Sequence, residues 1–372
     1  MELKMEVYTP ELELIGMLEA YNSIIFEKKA FSCGSFSINA LITDETKRLL
    51  VPDNIIWIEG DTAGIIEYIE QQENEQGPYI TVKGRDLTGI LDRRVLWGRY
   101  SLKGAAAEIM RKLISECCVE PTRGNTALRK IPELVIAEKG TDESTEKIRI
   151  QRMGDNLLET LEEIGKANRV SFGVRFNAKI PQMEFWTRQC EDRSINQTDH
   201  DPVFYSTELD DVLSSEYSYN SEDYRNTALI AGEGEGDDRR QVTLEDTSKG
   251  LSRRELYVDA RDLQSDSDPD NPIPEEEYMQ LLSSRGKEKL AENQLVQSFS
   301  AEVRMLNPTY EYGKDYKIGD TITVIDERIG VKTDAVVQGV RQSADGDIES
   351  MSLTLGFGQP TIYDVLKRKA VK

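Results

Sequence analysis

The chain has 372 residues, of which 31% are charged, 38% hydrophobic and only 7% aromatic. That length exceeds a single compact core and predicts two or three domains, and the charged fraction puts much of the chain on exposed surface, as in an elongated or assembled protein. With 68 acidic against 46 basic residues, the net charge of −22 repels phosphate backbones and argues against stable binding to nucleic acid, while serving solubility.

The opening text, MELKMEVYTPELELIGM, lacks the basic start and apolar core of a secretory signal. No run approaches the ~18 apolar residues of a membrane span. The expectation is therefore synthesis and folding in a cytoplasm, without a membrane anchor. From Leu3 to Val95 short strands alternate with turns: Asn22 to Phe26, Phe36 to Ile42, Asn54 to Glu59, Ile65 to Glu70 and Tyr79 to Lys83. Pro52-Asp53, Glu59-Gly60-Asp61 and Gly77-Pro78 supply the breaks. So many strands in so short a span predict a small barrel or sandwich over residues 1–97. Its last strand alternates Tyr79, Thr81 and Lys83 with Ile80, Val82 and Gly84, then runs directly into Arg85-Asp86-Leu87-Thr88-Gly89-Ile90-Leu91-Asp92-Arg93-Arg94-Val95.

Composition then shifts. Leu102, Ala106, Ile109, Met110, Leu113, Ile114 and Cys117 share one face of an amphipathic helix. A second helix is predicted from Asn156 to Ala167, with Asn156 and Glu159 spaced like a capping box, followed by a hairpin of Val170 to Phe176 with Met183 to Thr187. These elements make residues 98–200 an α+β insert. Thr198 to Asp211 reads as polar loop and Tyr217 to Ala231 as strand, and Asn226 to Ala231 is expected to pair with Gln241 to Leu244 across the acidic turn Gly232 to Asp238. Pro274 before Glu275, Glu276 and Glu277 starts a helix that runs to about Asn293, so residues 232–294 form a hairpin-and-helix insert. Phe299 to Met305, Tyr316 to Val324, Ala335 to Val340 and Met351 to Phe357 supply strands of a second barrel, residues 201–231 plus 295–358. A basic tail helix is expected over 359–372. The fold class is α+β, mainly β.

Reactive chemistry is sparse. The single histidine, His200, lies in Thr198-Asp-His-Asp-Pro202, a solvated loop pattern, and no G-x-S-x-G is present. Cys33, Cys117, Cys118 and Cys190 form no C-x-x-C pair and read as reduced, packed thiols. Neither Cys33 nor Cys190 has a recognisable catalytic partner. Asp266, Asp268, Asp270 and Glu277 reproduce calcium-loop spacing, but Asn271 replaces the turn glycine and Pro269, Pro272 and Pro274 stiffen the loop, which favours an acidic linker ending in a helix cap. Gly232 to Asp238 superficially resembles a phosphate loop, yet its acids repel phosphate and no Lys-Ser/Thr follows. Trp57, Trp97 and Trp186 are far apart in sequence and read as packing residues, while sequence alone leaves open whether two of the many carboxylates stand at glycosidase separation. No catalytic, cofactor-binding or metal residue is assigned.

Three blocks carry a resemblance. Gly84-Arg85-Asp86-Leu87 with Leu91 and Arg93-Arg94, then Arg253-Arg254-Glu255 with Tyr257-Val258-Asp259-Ala260-Arg261-Asp262-Leu263, then Tyr316 with Ile318-Gly319-Asp320-Thr321-Ile322-Thr323-Val324, occur in order along the chain. Together they resemble the siphophage hub-like tail-tip proteins, related in fold to the baseplate hub of contractile phage tails. The resemblance implies two β-barrel domains with α+β inserts, and three copies closing into a ring between the tail tube or distal tail proteins above and a fibre, spike or tape-measure protein below. It implies a virion protein made in the bacterial host cytoplasm, no enzymatic activity, and a lumen whose acidic lining lets DNA pass. Arg93, Arg94, Arg253 and Arg254 are then expected to support contacts within or between subunits. The chain runs only about fifteen residues past its last strand, so no appended wall-degrading domain is expected. Two other readings stay open: a carbohydrate-binding or carbohydrate-active tail-tip protein, and a component of a non-phage injection device.

Overall fold

A computed structural model describes residues 5–58, 62–74, 77–138, 146–209, 212–265, 272–294, 296–303, 309–328, 330–345 and 348–357. The fold is mainly β and is organised by one 13-stranded sheet. From one margin to the other its strands run Val212–Asn220, Val296–Val303, Ile348–Phe357, Val331–Asp345, Ser23–Lys29, Ser35–Leu41, Gly77–Asp86, Ala63–Asn74, Ile55–Trp57, Met5–Tyr8 and Leu14–Leu18. Thr321–Asp326 pairs with the early part of Val331–Asp345, and Phe204–Ser206 pairs with Thr321–Asp326.

The long strand Val331–Asp345 joins the two halves. Its first residues, Val331 to Val336, pair with Thr321–Asp326, and its last, Gly339 to Asp345, pair with Ser23–Lys29, while Ile348–Phe357 follows its other side. The change of partner falls at a bulge between Val337 and Gly339. An extra residue shifts the alternation by one, so Ala335 and Val337 point inward before it and Val340 and Ala344 after it. The resemblance implies two β-barrel domains. The described strands instead form one open path with two margins, and no closed barrel exists among them. The second half nevertheless curls strongly: Ser215 on one margin donates its hydroxyl to Asp326 on Thr321–Asp326 at 2.5 Å, although these strands share no ladder.

The first half is buried on both faces. Ile56 and Ile66 point into its interior with Val7, Phe36 and Val82, whereas their neighbours Ile55 and Ile65 point out into the core of the α+β insert. That insert departs from the predicted helix. Arg99–Ala105 is a strand paired with Lys147–Met153, and the helix is only Ala106–Ile114, continued by a π turn at Ser115–Val119. Leu102 lies four residues before Ala106, so its half-buried position on a strand mimics a helical repeat. The second helix, Leu157–Asn168, starts where predicted, with the Asn156 side chain accepting from the Glu159 amide at 3.2 Å. Its hairpin, Val170–Asn177 with Gln182–Gln189, follows.

The reading of Tyr217 to Ala231 as one strand is also corrected. Val212–Asn220 belongs to the main sheet, while Thr227–Ala231 sits at the centre of a small sheet between Gln241–Leu244 and Glu255–Asp259. The turn at Asn220, whose side chain accepts from the Glu222 amide, separates them. Helix Glu275–Glu292 covers this small sheet through Tyr278, Leu281 and Leu282. Asp266, Asp268 and Asp270 of the acidic loop, and the expected tail helix at 359–372, lie outside the described residues. No described helix is long and apolar enough to cross a membrane.

Candidate functional site

Each of the three sequence blocks marks a structural junction. In the first, an added Cβ on Gly84 would stand 1.8 Å from the Ile65 carbonyl oxygen, so only glycine lets the two central strands approach there. Asp86 accepts from the Gly34 amide at 2.7 Å and the Thr88 amide at 3.0 Å, capping the tight turn Leu87–Arg93; burial pushes its carboxyl up, against those donors. Glu67 occupies the bulge of the facing strand and takes two bonds of 2.8 Å from Arg85, which also reaches Asp92 at 2.9 Å. The Arg85 bonds hold the Glu67 carboxyl below the usual range. Gly84→Ala is expected to lower the unfolding free energy by about 2–3 kcal/mol, measured by denaturant titration, because backbone must move to admit the methyl group.

The arginines expected to support contacts are engaged within the chain. Arg93 reaches Asp53 and Glu67, and Arg94 donates to the Arg129 carbonyl at 3.0 Å. Arg253 lies between Glu245 and Glu255, while Arg254 donates to the Ser221 carbonyl beneath the Tyr224 ring. In that second block Arg261 and Arg239 hold the Asp259 carboxyl down to about 2. In the third block Asp320, 1% exposed, accepts from Arg188 at 2.7 Å and from the amides of Glu191 and Lys317 at 2.9 and 2.8 Å. It fastens the second half of the sheet to the α+β insert.

The two inserts meet along a seam of charge. Arg152, buried, bonds Glu288 and also Glu163 at 2.6 Å. Arg149 and Lys103 both bond Glu277, the last acid of the apparent calcium pattern, and Arg285 donates to the Gln151 carbonyl at 3.3 Å. Burial pushes Glu288 up in spite of Arg152. Burial also acts on Glu163, but Arg152 and Lys289 outweigh it and hold that carboxyl low.

Within the hairpin, Glu184 accepts from Asn177, Gln182 and Arg175 at 3.0, 2.9 and 2.8 Å, and these bonds, that of Asn177 foremost, lower its carboxyl below 4.5. A depressed carboxylate contributes stability above its unfolded value that is lost as pH falls through the folded one. Glu184→Gln is expected to flatten the loss of melting temperature below pH 4.5, read from parallel thermal scans of both proteins.

The chemical candidates do not converge. His200 lies on an exposed loop whose backbone is held by Gln197. All four thiols are free, and burial raises Cys33, Cys117 and Cys190 and pushes Cys118 up to about 12, so they stay protonated. Vicinal Cys117 and Cys118 are fully buried in the π turn. Among the described residues no group of three His, Cys, Asp or Glu could hold a metal. Trp57 packs against the insert core and Trp97 is half-exposed beside Arg129. Trp186 lines a cleft of about 900 Å³ between the first half, the insert hairpin and the Tyr312–Ile318 segment, with Lys28, Arg175, Arg188 and Glu349 also in its wall. Sequence periodicity carries no sign of this cleft, because its walls come from segments more than a hundred residues apart.

Residues 4–357 match the model of the family described as Siphovirus ReqiPepy6 Gp37-like protein. The chain belongs to that family. Solved structures agree with this membership in fold. The tail protein from Neisseria meningitidis MC58 superposes with a TM-score of 0.56 at 13% identity, over 95% of this chain and 96% of that one. A 43 kDa tail protein of prophage MuSo2 from Shewanella oneidensis gives 0.58 at 12% identity over 95% and 98%, and prophage tail protein gp18 from Listeria monocytogenes EGD-e gives 0.53 at 10% over 99% and 98%. No curated protein sequence matches the chain. This family member therefore has the fold of phage tail proteins along nearly its full length, and the resemblance read from its three blocks holds.

Proposed function

We propose that the protein is a structural hub of a phage tail tip or baseplate. Three copies close into a ring, each supplying two barrel-like β units, so that six such units meet a sixfold tail tube while the lower face accepts a fibre, spike or tape-measure protein. The observation that supports this is the shared sheet: both halves are welded through Val331–Asp345, and its two margins, Leu14–Leu18 and Val212–Asn220, have no further strand neighbour among the described strands. Each margin exposes large apolar side chains, Leu14 and Met17 on one and Leu213 and Tyr219 on the other. Sheet margins that expose apolar side chains invite a neighbouring chain. The work is mechanical, with no bond broken, and a net charge of −22 keeps DNA from adhering as it passes. The protein acts within the virion.

Negative-stain images and sedimentation of the purified full chain test this. A ring with a central hole is expected; a monomer at every concentration would defeat the reading. Trp186 in the cleft wall favours one second reading, glycan binding at the host surface. A glycan array separates the two, since a hub without sugar specificity leaves it blank.

A further inference from the structure

Helix Glu275–Glu292 and the small sheet it covers form a unit that sits on the α+β insert without sharing its core. Ala228, Ile230, Val258, Tyr278, Leu281 and Leu282 belong to one apolar cluster, the insert has another, and the two have no member in common. What joins them is the seam of charge. Lys103, Arg149 and Arg152 come from the paired strands Arg99–Ala105 and Lys147–Met153 and face Glu277 and Glu288 of the helix. Lys289 adds a bond of 3.4 Å to Glu163 of helix Leu157–Asn168. Beside these pairs the Gln264 amide donates to Gln151 Oε1 at 3.0 Å, and Gln151 Nε2 donates to the Gln264 carbonyl at 3.4 Å.

Such a seam holds differently from a core. Ions taken out of water regain in mutual attraction little more than their dehydration costs, so a charged contact docks two bodies less firmly than apolar packing of the same extent. Here the match is also incomplete, since the Nε atoms of Arg149 and Arg152 are buried with no hydrogen-bond acceptor among the described residues. Each side keeps a partner when parted: Arg152 retains Glu163 at 2.6 Å within the insert, and Arg285 retains Asp262 at 2.9 Å within the unit. The covalent connection is narrow. The chain enters the unit through the turn after Asn220 and leaves its helix at Asn293, and the Arg225 amide donates to the Asn293 carbonyl at 2.9 Å, so the two crossings lie side by side. We propose that this unit is an arm that swings off the α+β insert as an intact body about that neck, with the charged seam as its latch. The motion belongs to a single copy and is independent of ring closure.

Hydrogen exchange of the full-length protein, resolved to single amides, supplies three reporters. The Gln264 amide is bonded across the seam, Thr227–Ala231 is the middle strand of the arm's own sheet, and Val170–Asn177 lies in the insert. In wild type the Gln264 amide is expected to exchange at least ~10-fold faster than the protected amides of both strands, because the seam opens without either side unfolding. Glu277→Lys sets a cation against Lys103 and Arg149 and is expected to speed Gln264 by about a further 10-fold while both strands keep wild-type protection. Three results overturn the arm. Gln264 that exchanges only as slowly as the two strands in wild type means that the seam opens only on unfolding. Gln264 unmoved by Glu277→Lys means that charge is not the latch. Thr227–Ala231 accelerated together with Gln264 means that the unit melts in place instead of swinging.

Discussion

Asp320→Ala is expected to destabilise the protein by about 3–5 kcal/mol, the range for removing one partner of a buried, hydrogen-bonded charge pair. The carboxylate is 1% exposed and satisfies Arg188 together with the amides of Glu191 and Lys317. Without it a half-buried guanidinium and two amides lose their acceptor where the sheet meets the α+β insert, and the methyl group returns nothing to them. Asp320→Asn keeps one acceptor oxygen and should cost less. Denaturant unfolding followed by far-UV circular dichroism reads both variants. Equal midpoints for Asp320→Ala and wild type would show that the third block is not the fastening described above.

Arg152→Met is the second large effect, also about 3–5 kcal/mol at neutral pH, because it leaves Glu288 buried without its bonded cation, with only the Arg285 Nε at 4.0 Å remaining. The sign of its pH dependence follows from Glu288, whose carboxyl burial already pushes up. A group with a raised folded value contributes most below its unfolded value, and that contribution is lost as pH rises through the folded one. Removing Arg152 strengthens the upward push, so the variant should approach wild type as pH falls from 8 towards 5. Thermal scans across that range test it. A deficit that is constant with pH would mean that Glu288 keeps its charge without Arg152.

Much of this architecture could be read from the chain. Strands such as Ser35–Leu41 and Gly77–Asp86 advertise themselves by strict alternation, and Pro274 with three glutamates marks the helix that covers the small sheet. Alternation reports which face of a strand is buried, but not which strand lies beside it. The pairing of Ser23–Lys29 with residues from Gly339 onward was therefore hidden, and with it the fusion of the two halves. Arg99–Ala105 was misread because a half-buried strand and an amphipathic helix can place apolar residues at the same spacing. Asp320 was legible as part of a block, yet its partners Arg188 and Glu191 come from a distant segment. The setting of Trp97, half-exposed beside Arg129, escaped for a different reason. Nothing in a sequence distinguishes a tryptophan clamped at the surface from one packed inside.

The bulge after Val337 has a mechanical corollary. Since one backbone runs unbroken from the ladder with Thr321–Asp326 to the ladder with Ser23–Lys29, tension applied along it in one half arrives in the other as shear on the rungs between Ser23–Lys29 and Gly339–Asp345. Rungs loaded in shear must yield together, whereas rungs peeled from an end yield singly. A body built this way transmits a push or a twist between its ends with little give, as a coupling shaft does.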